Sequence, residues 1–226
     1  MDYGKEFQSY YTKHLGKSSS HLDYFSKKIE SSMTPYILEE RELRATQMDI
    51  FSRLMRDRLL WVSGVVDDHM STIVQAQLMF LDSTNNSDIT MHIDSPGGSV
   101  KSGLSMVDVM DYISCDIRTV NTGMAASMGS VLLGAGTKGK RSSLRFSRTM
   151  LHQSSGGAGG NIQDARIQLK EWEKYNQTLF ELLGSYCGKS AEVVMNDASR
   201  DLWLDAQDAM EYGIIDEIVK TKKKGK

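Results

Sequence analysis

The sequence predicts an α/β protein whose mostly parallel sheet is built from repeated strand-helix units. Short apolar runs alternate with stretches of helical period from Leu59 onward, and tight turns of glycine and small residues sit where strands should pass into helices. A chain of 226 residues with 40% apolar content is long enough to bury roughly 70% of its unfolded surface around one core.

Residues 1–33 hold four Tyr and two Phe, but Lys, Ser and His interrupt every apolar face, so the segment reads as an appendage. Thr34-Pro35 marks a break, because the residue before proline is pushed away from helix. Leu59–Ser63 reads as a strand, and Asp68–Leu81 as a helix with Met70, Ile73, Val74, Gln77, Leu78 and Leu81 on one face. Ile89, Met91 and Ile93 alternate as in a strand, which runs into the turn Asp94-Ser95-Pro96-Gly97-Gly98. A helix carrying Val100, Leu104, Val107, Met110 and Ile113 on one face follows.

The second unit starts with a strand at Ile117–Val120, a turn of small residues over Gly123–Met128, and a short apolar helix over Gly129–Ala135. A strand ending at His152 opens onto Ser154–Gly160, rich in glycine. Ile162, Ala165, Leu169, Trp172, Asn176, Leu179 and Leu183 then keep the 3.6 period over about six turns. The remainder reads as a helix begun by Ser190, a strand at Leu202–Leu204, and a helix capped by Asp205 and stopped by Gly213.

A formal net charge of -2 argues against nucleic acid or an anionic membrane as partner, and the lysines of Lys220–Lys226 read as a solvated end. Cys115 and Cys187 have no paired or metal-ligand spacing, which fits thiols used for packing in a reducing compartment. With no apolar run of membrane-spanning or secretory length, the expectation is a soluble, cytoplasmic protein.

Chemistry concentrates in three places. Ala125-Ala126-Ser127-Met128-Gly129 puts a serine between small residues at a strand-to-helix junction, where its hydroxyl can be exposed and the free N–H groups of the helix start favour a developing oxyanion. The competing reading is a helix-capping serine. The Gly97-Gly98 turn presents further N–H donors; its competing reading is an ordinary turn, and it lacks the G-x-x-x-x-G-K spacing of a phosphate loop. Of His14, His21, His69, His92 and His152, the last, at a strand end beside the flexible segment, is the best base. The orienting carboxylate stays open among Asp197, Asp201 and Asp205: Asp205 reads as a cap, Asp197 lies within a helix, and Asp201 stands before an apolar strand that could bury it.

From about Gln47 to Val219 these residues resemble the Clp protease family of proteolytic subunits. The motifs are Asp49-Ile-Phe-Ser-Arg-Leu, Ile93-Asp-Ser-Pro-Gly-Gly, Gly123-Met-Ala-Ala-Ser-Met-Gly, Arg148-Thr-Met-Leu-His-Gln and Ser199-Arg-Asp201. The resemblance implies a serine peptidase with Ser127 as nucleophile, His152 as base and Asp201 as acid, and an oxyanion hole at the N–H groups of Gly98 and Met128. It implies a crotonase-like fold in a serine protease domain at 49–220, preceded by an axial segment at 34–48, with the helix from Asn161 to about Gly184 as a handle between two stacked heptameric rings, and a basic tail at 221–226. It also implies unfolded polypeptide substrates fed by a hexameric ATP-driven unfoldase of the AAA+ class, ATP being used by that partner and no cofactor by this chain. A self-removed propeptide, cut between Ser31 and Tyr36, is a further expectation. The chain departs from the family at Ser154, where proline is common, and the segment before Asp49 does not match well. The alternatives are a non-catalytic subunit of a mixed ring and a crotonase-type acyl-CoA enzyme; an α/β-hydrolase would order its triad Ser, acid, His.

Overall fold

The computed structural model describes residues 36–41, 44–156 and 159–220. The expected appendage at 1–33, most of the segment around the expected cleavage, and the basic tail at 221–226 lie outside the described residues. The chain divides into two compact units, Met1–Arg53 and Leu54–Lys226. In the first, strands β1 (Tyr36–Arg41) and β2 (Arg44–Asp49) pair antiparallel, with Tyr36 opposite Asp49. That hairpin is absent from the sequence reading because ILEER and RATQMD show no sustained apolar alternation. Helix α1 (Ile50–Arg56) starts at Asp49, whose carboxylate accepts from the N–H groups of Phe51 and Ser52 at 3.0 Å.

The second unit is the α/β body. Its sheet runs β3 (Leu59–Ser63), β4 (Ile89–Ser95), β5 (Ile117–Ala126), β6 (Arg141–Ser143) and β9 (Glu217–Ile218), all parallel. Helix α2 (Asp68–Thr84) connects β3 to β4, and α3 (Val100–Tyr112) connects β4 to β5. The strand at 117 is longer than Ile117–Val120: it continues through Gly123-Met-Ala-Ala, four residues predicted to turn. They remain extended because a second strand, β7 (Arg148–Leu151), pairs with them, Ala126 standing opposite Met150. The front half of β5 meanwhile pairs with β6. One long strand thus serves two neighbours in succession, and β7 in turn carries β8 (Leu202–Leu204) antiparallel.

Helices α4 (Met128–Gly134), α5 (Ile162–Cys187), α6 (Ala191–Asp197) and α7 (Ala206–Tyr212) complete the described residues. Ser190 and Asp205 cap α6 and α7, and Gly213 ends α7 in the left-handed conformation, as the sequence predicts. The core joins Ile89, Met91, Ile93 and Ile117 of the sheet to Leu78, Met106 and Leu132 of the helices, all buried. Two apolar faces are only half right. Ile73 is exposed while Ser71, bonded to the Ser102 carbonyl at 2.8 Å, takes a buried place on α2. In α5 only Leu179, Phe180, Leu183 and Gly184 are buried; Ile162 and Leu169 face outward. Arg141, 3% exposed, is held by Asp216 at 2.6 Å and by the Tyr186 carbonyl at 2.9 Å, tying the start of β6 to α5.

Candidate active site

Ser127 is the single residue between β5 and α4, and its backbone sits at φ 54°, ψ −123°, a conformation L side chains rarely hold. Such strain costs on the order of 1–3 kcal/mol and persists only where the surroundings fix it. They do: the Ser127 N–H donates to the Met150 carbonyl at 2.9 Å, and its own carbonyl accepts from the Ser130 N–H at 2.9 Å and the Ser130 hydroxyl at 2.6 Å. The Ser127 side chain makes no capping bond, so the helix-capping reading fails. Among the described residues the only other non-glycine with positive φ is Arg58, and its guanidinium is spent on the carbonyls of Leu81, Ser87 and Asp88.

The Gly97-Gly98 turn is wedged against that serine. At Gly97, with φ 91°, a Cβ would stand 2.7 Å from the Ala126 oxygen, 2.7 Å from the Ser127 Cβ and 2.8 Å from the Met128 nitrogen. At Gly98 it would stand 2.3 Å from the Val66 oxygen. Only glycine permits this approach. The turn is secured on its other side by the Val66 N–H on the Gly97 carbonyl at 2.9 Å and the Ser99 N–H on the Val66 carbonyl at 2.8 Å. The N–H groups of Gly98 and Met128 have no protein acceptor among the described residues. Met128 is anchored from beneath by α3, where Gly103 leaves room for its side chain.

Strand register assembles the remainder. Parallel pairing of Ala126 with Met150 brings the end of β7 beside the serine turn, and antiparallel pairing of Leu151 with Leu202 places His152 across from Asp201. The His152 Nδ1 and an Asp201 oxygen lie 3.5 Å apart, in contact but longer than a usual hydrogen bond. The expected burial of Asp201 is wrong: its side chain is 61% exposed, because it stands just before β8, a three-residue edge strand paired only with β7 among the described residues. The other carboxylates are engaged elsewhere, Asp205 in a capping box and Asp197 with the Tyr212 hydroxyl at 3.0 Å. Among the other described histidines, His92 stacks on Trp61 with ring centroids 4.7 Å apart, and its burial depresses its pKa; His69 is exposed on the first turn of α2.

One cavity is lined by His152 and a second by the segment just beyond it. The first, of about 500 Å³, is open and lined by His152, Gln153, Ser199, Arg200 and Asp201. The other, about 320 Å³, lies between Gly98–Lys101 and Ser154–Ser155, with Trp172 and Tyr175 at its side. Sequence reasoning misses this second wall, because Trp172 and Asn176 simply continue the helical period of α5 and nothing local says what they meet. The signal available was Gln168, Trp172 and Asn176 at a spacing of four. Cys115 and Cys187 are unpaired, and burial pushes the Cys187 thiol up to about 11. Among the described residues no cluster of His, Cys, Asp or Glu is disposed to hold a metal, and no helix is long and apolar enough to cross a membrane.

A strained serine wedged beside unused N–H groups, with a histidine and a carboxylate at the ends of the next two strands, is an arrangement suited to acyl transfer. A family model described as Clp protease matches residues 41–222. An ATP-dependent Clp protease proteolytic subunit from Bacteroides fragilis (strain YCH46) is 48% identical over 215 residues, covering 95% of this chain and 98% of its own length. One of the same name from Porphyromonas gingivalis (strain ATCC BAA-308 / W83) is 45% identical over 220 residues, 97% of this chain and 99% of its own. A third, from Bacteroides thetaiotaomicron, is 46% identical over 215 residues. At 97% of this chain covered, the Porphyromonas gingivalis alignment extends into the segment before Asp49. The chain belongs to the Clp protease family.

Proposed function

We infer that this chain is a serine endopeptidase subunit for protein degradation, hydrolysing peptide bonds through an acyl-enzyme on Ser127. The observation that carries the reading is the strand register that sets Ser127, His152 and Asp201 on three neighbouring strand ends beside the N–H groups of Gly98 and Met128. His152 takes the Ser127 proton as Oγ bonds to the scissile carbonyl carbon, and the carbonyl electron pair moves onto oxygen. The Gly98 and Met128 N–H groups stabilise that charge. The tetrahedral centre then collapses, the C–N bond breaks, and His152 protonates the leaving amine. Water, deprotonated by His152, splits the ester and restores the hydroxyl. Asp201 holds the imidazole with its Nδ1 proton facing the carboxylate.

Relatives named ATP-dependent support a partner ATPase, and the chain has no phosphate loop of its own: the stretch Gly134–Arg141 lacks the Ser or Thr such a motif requires after its Lys. The partner is a hexameric unfoldase of the AAA+ class that threads unfolded polypeptide into two stacked heptameric rings of this subunit. Confinement has a physical rationale, since a peptidase that accepts any extended backbone must be kept from folded neighbours. Intact mass before and after a fluorophosphonate probe tests the reading. The wild type gains one adduct and Ser127→Ala gains none, with peptide hydrolysis in that variant falling on the order of 10⁶-fold. An adduct that survives Ser127→Ala rules the assignment out.

A further inference from the structure

Gln168, Trp172 and Asn176 are spaced by four residues and share one face of α5. Each meets the chain beyond His152. The Ser154 N–H and the Ser154 hydroxyl both donate to the Asn176 Oδ1 at 3.1 Å. At Gly156 a Cβ would stand 2.1 Å from the Trp172 ring, so the indole lies directly against that backbone. The Gly159 N–H donates to the Gln168 Oε1 at 3.1 Å. Contacts therefore step toward the N-terminus of α5 as the segment leaves His152, one per helical turn. The orientation of the Asn176 amide is fixed by chemistry: a backbone N–H only donates, so the atom facing Ser154 is the carbonyl oxygen.

That segment is one wall of the 320 Å³ cavity; Gly98–Lys101 is the other. One wall starts at the Gly98 donor and the other two residues past His152. Among the described residues the backbone groups of Gln153 and Ser155 make no hydrogen bond to the protein, which leaves them for a bound chain. We propose that the Gln168–Trp172–Asn176 stripe is a positioning element, with Asn176 its principal member, that fixes the wall following His152 and thereby sets how tightly peptide substrates bind. The role rests on the peptidase reading above. Asn176 touches neither substrate nor reacting atoms; it acts through Ser154.

The proposal separates substrate affinity from the chemistry of the serine. In the assembled full-length protein, Asn176→Ala should raise the KM of an extended peptide about tenfold with kcat changed less than about threefold, as expected for two lost hydrogen bonds. The rate of fluorophosphonate labelling at Ser127, which needs no peptide binding, should stay within about twofold. Asn176→Asp keeps the acceptor and should restore the wild-type KM. Amide exchange at Ser154 should be slow in the wild type and in Asn176→Asp, and fast in Asn176→Ala. Exchange that does not respond to Asn176→Ala overturns the positioning role, as does an Asn176→Asp protein as impaired as Asn176→Ala. A KM that stays unchanged while exchange accelerates overturns the link to substrate. Failure of the wild type to be labelled at Ser127 would instead sink the peptidase reading, and the exchange comparison would still report on the stripe.

Discussion

The serine half of the site and the carboxylate half are built in opposite ways. Around Ser127 every neighbour is wedged in place: Ala126 and Met128 are buried, Gly97 and Gly98 touch adjacent backbone where no side chain fits, and the strained φ is held by hydrogen bonds on both faces. Around Asp201 the chain is open. The carboxylate is mostly exposed, stands at the first end of an edge strand, and rests 3.5 Å from His152. The proposed nucleophile and oxyanion donors are thus set by core packing, whereas the carboxylate proposed to orient the base is positioned, among the described residues, by two short strand pairings. The difference teaches that the serine turn is built from within the core, whereas the alignment of Asp201 with His152 is left to weaker contacts.

The comparison is sharpened most by Asp201→Asn. It should lower kcat on the order of 10⁴-fold, because the amide favours the wrong imidazole tautomer, while the unfolding temperature stays unchanged, since an exposed side chain bonded to little contributes little to the fold. Near-normal turnover would remove Asp201 from its role, and a large loss of stability would refute the contrast. Gly97→Ala probes the packed half and should behave differently: about 3 kcal/mol lost to backbone strain and overpacking, a drop in unfolding temperature of roughly 6–12 °C, and slowed labelling of Ser127 together. A Gly97→Ala protein of full stability would mean the wedge is slack.

The smallest expected effect concerns pH and the ion pair at the far edge of the sheet. Burial raises the Asp216 pKa, but the hydrogen bonds and charge of Arg141, helped by the Gly139 N–H, outweigh it and hold the group below the ordinary carboxylate range. A depressed native pKa adds stability that is present above the unfolded-state value of about 3.9 and is lost as pH falls through the lower folded value. Urea unfolding of the wild type should therefore weaken below about pH 4, and Asp216→Asn should flatten that part of the profile. An unchanged slope in the variant would assign the acid sensitivity to other carboxylates.

Sequence alone determined the strand-helix alternation, the caps at Ser190 and Asp205, the glycine turn, and the short apolar helix behind Ser127. Each follows from local rules: hydrophobic period, side chains that satisfy free N–H groups, and positions only glycine can occupy. Local reasoning found Ser127 and favoured His152, but left Asp197, Asp201 and Asp205 open; family resemblance, not periodicity, chose among them. Tertiary structure decided what local rules cannot see. It kept Gly123–Ala126 extended by giving β5 a second neighbour, and it put His152 opposite Asp201 through a register that joins residues 49 apart. It also set Trp172 and Asn176, which in sequence only continue a helical period, against the chain beyond His152. A helical period reports that a face is covered, but not by what. Which residues meet across strands and helices is settled by packing of the whole chain, because the partners are distant in sequence and no local preference encodes them.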